Sequence, residues 1–334
     1  MTTATAISGR VAVASCVAAV LLLGTLFLGL SAGSAGLRFS AVIQSLSGGE
    51  SSGLMHDIIW RLRFPRVLLA ALLGATLSLG GMVFQALLRN PLAEPYILGI
   101  SGGAAIGAIS GILLGLSRFP GVWLMAFLGS LATLGLLYVM ASGRSMVRGN
   151  ALLLSGVMVN AFCSAVILFL VSIAQDSRLH NIIFWLMGDL AAATMNNVAA
   201  LSLTVIPCFI LIFSRTHSLN LLTLGNDMAQ SMGVNIRFTT SLLLVLTSLM
   251  VSATVSYCGL VGFVGLVIPH LLRLLLGPDH RVLAPVAILG GAAFLVLCDT
   301  LARTLPAQGE MPVGVITALI GAPLFVYLLR QSNK

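Results

Sequence analysis

The sequence predicts an all-α polytopic membrane protein of about ten transmembrane helices, and three observations carry that expectation. Only 8% of the 334 residues are charged and 58% are hydrophobic, whereas an average soluble domain has roughly 25% charged residues. So few charges cannot cover a water-facing surface of this size, and most of the surface must meet lipid. The mean hydropathy of +1.09 agrees. Finally, the charges stand between long uncharged windows, most of them near the ~20 apolar residues that a helix needs to cross a bilayer.

The first window lies between Arg10 and Arg38. Its 27 uncharged residues exceed the roughly 7–15 of a secretory signal's apolar region. The small residues of 31–36 resemble a cleavage site, but a first spanning helix is the expectation. Windows 67–88, 95–117, 119–143, 149–175, 190–214, 282–298 and 311–329 each supply one span. The 282–298 window is short, with Asp299 placed at the interface. Window 238–272 is too long for one crossing: as a single helix it would run about 52 Å, against a hydrocarbon core of about 30 Å. Gly259, Gly262, Gly265 and Pro269 favour a break near Cys258-Gly259. Two spans there bring the total to ten.

Orientation follows the bias of Arg and Lys toward the cytoplasm. Ten spans with the N-terminus inside place ten basic residues inside and seven outside, and nine spans with the N-terminus outside give the same tally. Charge therefore does not choose between them, whereas helix length favours ten, with both termini cytoplasmic. The outer excess is one cluster, Arg61, Arg63 and Arg66. The formal charge of +8 suits loops facing anionic headgroups, and no nucleic-acid partner is expected. Gly74 with Ser78, and Gly103-Gly107-Gly111-Gly115, stand at helix-packing spacing, which lets backbones approach closely in lipid. Residues 1–334 are read as a single transmembrane domain.

Several chemistries are not expected. The only lysine is Lys334, and a P-loop needs a lysine on the nucleotide phosphates, so ATP hydrolysis would have to come from a partner. Cys16, Cys163, Cys208, Cys258 and Cys298 stand singly, without metal-ligand or disulfide spacing. His270 has no second ligand nearby in sequence, and His56 and His180 are placed on the outer side. No metalloprotease, paired-histidine or nucleophile pattern appears. All nine acids fall at or near span ends, which counts against the alternative of an ion-coupled secondary transporter, since that needs an acid within a span.

Four segments depart from apolar monotony: Arg63-Phe64-Pro65-Arg66; Gly80 to Gln85 with Arg89-Asn90-Pro91-Leu92-Ala93-Glu94-Pro95; Gly262 to Arg273 with Asp279-His280-Arg281; and Asp299, Arg303, Glu310 to Gly314 and Gly321 to Phe325. In order and spacing they resemble the iron-chelate, haem and cobalamin uptake permeases of ABC importers, over essentially the whole chain. The resemblance implies the type II importer permease fold, working as a homodimer in the bacterial inner membrane. It implies two ATP-binding cassette subunits on the cytoplasmic face, where ATP and Mg act, and a periplasmic substrate-binding protein outside. No cofactor is implied for this chain. The cargo would be a metal chelate (haem or a ferric siderophore) or cobalamin.

The resemblance also implies roles for residues. Arg63, Arg66 and Arg303 match the positions that dock the binding protein, as a cationic rim orienting an acidic partner. The segment 219–234 matches the coupling element that fits the ATPase. Its Gly225 and Gly233 would bracket one short helix, with Leu224 before it and Met228, Ala229 and Met232 sharing a face. Asn90 and Leu92, with Gly149 and Asn150, match the cytoplasmic gates, although relatives carry hydroxyl residues where this chain has Gly149-Asn150. Arg89 and Glu94 are expected to pair across their proline-rich turn, and the fifth and tenth spans to line the pathway.

Overall fold

A computed structural model describes residues 2–33, 56–140, 149–306 and 309–332. No strand occurs among them. The helices are α1 (Thr2–Ser31), α2 (Phe64–Leu87), α3 (Ile100–Leu113), α4 (Trp123–Met140), α5 (Gly149–Ser172), α6 (Asp176–Leu186), α7 (Met195–Ser214), α8 (Thr216–Leu224), α9 (Asn226–Ser231), α10 (Ile236–Cys258), α11 (Val264–Leu276), α12 (His280–Thr304) and α13 (Val313–Ser332). Eight are long and apolar enough to cross a membrane, and α3 and α11 are shorter apolar helices.

Local chemistry sets several starts. Pro65 sits in the first turn of α2, where its missing N–H costs nothing. Thr194, Asn235 and Asp279 cap α7, α10 and α12, each accepting a hydrogen bond from a first-turn backbone N–H. The break expected at Cys258-Gly259 is present: α10 ends at Cys258, and Gly259 takes φ +72°.

Two windows differ from expectation. Window 95–117 yields only α3, whose 14 residues rise about 21 Å, because the chain before Gly99 folds into a separate turn, Pro95–Leu98. Window 282–298 becomes part of a 25-residue helix that runs on through Asp299 and Arg303 to Thr304, since both charges find ionic partners within the protein.

The hub is α2, which packs against α12, α11, α10 and α7. Glycine permits the closest approaches. A Cβ on Gly74 would lie 2.2 Å from the Gly291 carbonyl oxygen, and one on Gly81 would lie 1.7 Å from that of Gly265. Likewise a Cβ on Gly103 would lie 2.4 Å from the Gly129 carbonyl oxygen. The expected small-residue seams therefore join α2 to α12 and α3 to α4.

Polar contacts gather at two opposite ends. At one, Arg66 of α2 meets Asp299 of α12. At the other, Arg89 after α2 meets Leu222 of α8, and Arg10 of α1 donates to the Leu276 carbonyl at the end of α11. Phe325 of α13 lies against His270 of α11, so α13 runs toward the Arg89 end, where α1 also starts.

Candidate functional site

At the Arg66 end, the carboxylate of Asp299 is fully buried between two guanidiniums. Arg66 Nε donates to Oδ1 at 2.9 Å and Arg303 Nε to Oδ2 at 3.0 Å. Arg66 Nη1 also donates to Glu310 Oε2 at 2.5 Å. The last carbonyls of α1 have no intrahelical partners, and two arginines satisfy them. Arg63 Nη1 donates to Leu30 and Ser31, and Arg303 to Gly29 and Ala32. The three arginines expected to form a cationic rim are recessed: Arg63, Arg66 and Arg303 are 5%, 8% and 5% exposed. All three, with Glu310, Ile58 and Leu62, line a cavity of about 480 Å³. Arg61 is the exposed member of the run, paired with Asp57.

Between the ends, irregular backbone crosses the bundle and its polar groups are met by side chains, as a lipid setting demands. Tyr96 Oη donates to the Val261 carbonyl at 2.9 Å and accepts from the Val261 N–H at 3.1 Å. Beside it, Gln85 reaches α11 itself: its Nε2 donates to the Leu266 carbonyl at 3.2 Å, and its Oε1 accepts from Arg273 at 3.0 Å. Phe263 adopts a left-handed φ of +68°, and its side chain lies on Gly321, where a Cβ would come within 2.4 Å. Beside this crossing an apolar hollow of about 610 Å³ is lined by Tyr96, Met187, Leu260, Phe263, Val315 and Leu319. Of the two spans expected to line a pathway, α13 contributes to this hollow and α5 does not. Both nonetheless carry large exposed apolar side chains, including Met158, Phe162 and Phe169 on α5 and Leu319 and Val326 on α13.

At the Arg89 end, α9 is bracketed by Gly225 and Gly233, both at positive φ, as expected. Leu224, Met228 and Met232 are 66%, 54% and 57% exposed. Ala229 departs from the expected face: it is fully buried and joins Leu221 and Leu222 in a small cluster with Leu87, Val234 and Ile236. Its small side chain is what lets α9 sit down on α8. Arg89 does not pair with Glu94. Its Nε donates to the Leu222 carbonyl at 3.0 Å and its Nη2 to Asn226 Oδ1. Asn90 accepts from the Leu92 N–H through Oδ1 at 2.9 Å, an Asx turn that leaves Leu92 exposed. Gly149 and Asn150 start α5, and their side chains lie outside the described residues.

Sequence reasoning missed α6 and α8. The signal for α6 was Asp176 in a first turn followed by Ile182 and Trp185 three residues apart, both buried. Among the described residues no group of His, Cys, Asp and Glu could hold a metal ion. His270 is buried edge-on against Phe325.

The FecCD transport family matches residues 21–331. The chain belongs to the FecCD transport family. Among members it is 39% identical over 313 residues to the hemin transport system permease protein of Yersinia pestis, covering 91% of this chain and 93% of that protein. It is 43% identical over 277 residues to the cobalamin import system permease protein of Halobacterium salinarum, covering 83% and 74%. The vitamin B12 import system permease protein of Citrobacter koseri is 38% identical over 307 residues, covering 89% and 93%. An inward-facing metal-chelate type ABC transporter structure superposes with a TM-score of 0.85 at 32% identity, covering 95% of this chain and 98% of that one. The FecCD fold is thus that of an ABC transporter permease, a multi-span membrane protein.

Proposed function

We propose that this chain is the permease subunit of an ATP-driven importer that moves haem, a ferric siderophore or cobalamin from the periplasm across the bacterial inner membrane. The observation that carries the reading is a bundle with a different built surface at each end: a recessed arginine cavity at one, and an exposed Leu224-Met228-Met232 knob at the other. Relatives named for hemin and cobalamin transport support the cargo class.

In this reading the Arg89 end is cytoplasmic and carries both termini. Two ATP-binding cassette subunits grip the α8–α9 knobs of a homodimer, and ATP and Mg act there; this chain holds no cofactor and no nucleotide. Flexible methionines suit a contact that stays packed while its partner moves. The Arg66 end is periplasmic and receives the binding protein. Its cavity is lined by three arginines and one carboxylate, Glu310, with Asp299 buried behind Arg66 and Arg303, so an incoming acidic side chain is attracted and competes with Glu310 for Arg66. The exposed apolar faces of α5 and α13 meet their copies across the dimer axis and line a wide pathway poor in ligands. The Asn90–Leu92 turn and the Gly149-Asn150 start of α5 close it on the cytoplasmic side.

An ion-coupled carrier would need a free acid inside the bundle. Asp299 is fully buried, and two arginines already neutralise it, while Glu94 lies in the turn after α2 and outside the spanning helices. The test is uptake of hemin and cyanocobalamin into vesicles holding this chain with its ATPase and binding protein. Uptake should require ATP and both partners; accumulation by the chain alone on an ion gradient would refute the reading.

A further inference from the structure

The Asp279-His280-Arg281 motif has no part in docking, crossing or coupling as described, yet its first two residues are held by the α8 side chain Asn220. Asn220 Nδ2 donates to Asp279 Oδ1 at 2.8 Å, and its Oδ1 accepts from the His280 backbone N–H at 2.8 Å and from His280 Nδ1 at 2.7 Å. One amide thus spends both its donor and its acceptor on the N-terminus of α12. The same short helix is tied a second time, by Arg89 to the Leu222 carbonyl, which fixes it to the end of α2.

These ties join the right helices. α8 leads directly into the exposed Leu224-Met228-Met232 knob, and α2 and α12 are the two helices that Arg66 and Asp299 join at the far end. A displacement of α8 would therefore reach both helices that frame the arginine cavity. The apolar cluster of Leu221, Leu222 and Ala229 cannot alone do this, because apolar contact is non-directional and permits sliding, whereas the bonds to one amide fix register.

We propose that Asn220 is a positioning residue that transmits movement of the coupling segment to α12 through Asp279 and His280, with Arg89 as the matching tie to α2; the inference rests on the import reading above. The experiment measures hemin uptake and ATP hydrolysis on the same vesicles, with the full chain, its ATPase and its binding protein, substituting cyanocobalamin where the wild type prefers it. N220A should lower cargo moved per ATP about tenfold, within the span of ordinary coupling free energies. N220D sets a carboxylate against Asp279 and should lower the ratio similarly. The double variant N220D/D279N restores an amide–carboxylate pair with the roles exchanged, and an asparagine still caps α12, so the ratio should recover to within about twofold of wild type, as for residues acting as one pair. A ratio in N220A equal to wild type overturns the inference. So does a double variant no better than N220D, and this comparison decides the matter if N220A fails to assemble. Wild-type uptake that ignores ATP would bring down the import reading and the inference together, a result distinct from either of these.

Discussion

Arg66 Nε lies 2.9 Å from Asp299 Oδ1, joining the first turn of α2 to the end of α12 across 233 residues of sequence. Arg303 holds the other oxygen of the same carboxylate. Removing one member of a buried ionic group leaves uncompensated charge and costs about 3–5 kcal/mol. Asp299→Ala should therefore destabilise the detergent-solubilised protein by that order, measured by denaturant unfolding, whereas Asp57→Ala, which opens an exposed pair, should change stability by under about 1 kcal/mol.

Gly81 and Gly265 set the spacing of α2 and α11. A Cβ on Gly81 has only backbone in front of it, and overpacking of that kind costs about 1–3 kcal/mol or more. Gly81→Ala should lower the melting temperature and the yield of folded protein. Gly135→Ala is the control, since a Cβ there meets nothing within 4 Å; helix propensity alone favours that alanine, by at most about 1 kcal/mol.

Tyr96→Phe removes the hydroxyl that satisfies both the N–H and the carbonyl of Val261. Two buried backbone groups lose their partner, at about 1–3 kcal/mol each. The variant should unfold at lower denaturant, and hydrogen exchange should quicken at Val261 before it does in α2.

Met228→Asp and Met232→Asp place charge on the exposed knob without entering the Ala229 cluster. Each should weaken co-purification with the ATPase about tenfold or more, as for an anchor at the centre of an interface, while the melting temperature of the chain alone stays within a degree or two of wild type. A large fall in that melting temperature would mean the methionines hold the fold instead.

Burial pushes the Glu94 carboxyl above its usual range. A carboxyl raised by folding contributes stability below its unfolded pKa and loses it as pH rises through the folded value. Glu94→Gln should therefore melt above wild type near pH 8, with the gap closing as pH falls toward about 4, followed by thermal unfolding at stepped pH. At Asp279 the sign is opposite: its bonds with Arg281 hold the carboxyl well below the usual range, so its contribution persists through all of that window.

Much of the bundle was legible because lipid enforces a simple rule. Uncharged windows long enough to span became α1, α2, α4, α5, α7 and α13, and Gly259 marked the break after α10 because a residue at φ +72° against the Trp185 carbonyl has no room for a side chain. Window 95–117 misled because apolarity reports burial, and the turn of Pro95–Leu98 is buried by protein instead of spanning lipid. The length of α12 was missed for a complementary reason: Asp299 and Arg303 lie at the Arg66 end, but protein covers them and they pair there, so the helix continues past its first charge.

Within the sites, the glycines bracketing α9 and the arginines themselves could be read directly, since each follows from residue type and position along the chain. What Arg63, Arg66 and Arg303 do could not. Whether a guanidinium faces solvent or a carbonyl depends on which helix end is packed beside it, here that of α1, distant in sequence. The same holds for Arg89, which passes over the nearby Glu94 for Leu222, and for Asn220, whose partners lie 59 and 60 residues away. Sequence alone determined that the chain crosses lipid many times and roughly where, because desolvating a charge or an unpaired peptide is costly whatever the fold. Only the tertiary structure decided which polar groups meet, because hydrogen bonds act over about 3 Å and their partners are chosen by how the helices pack.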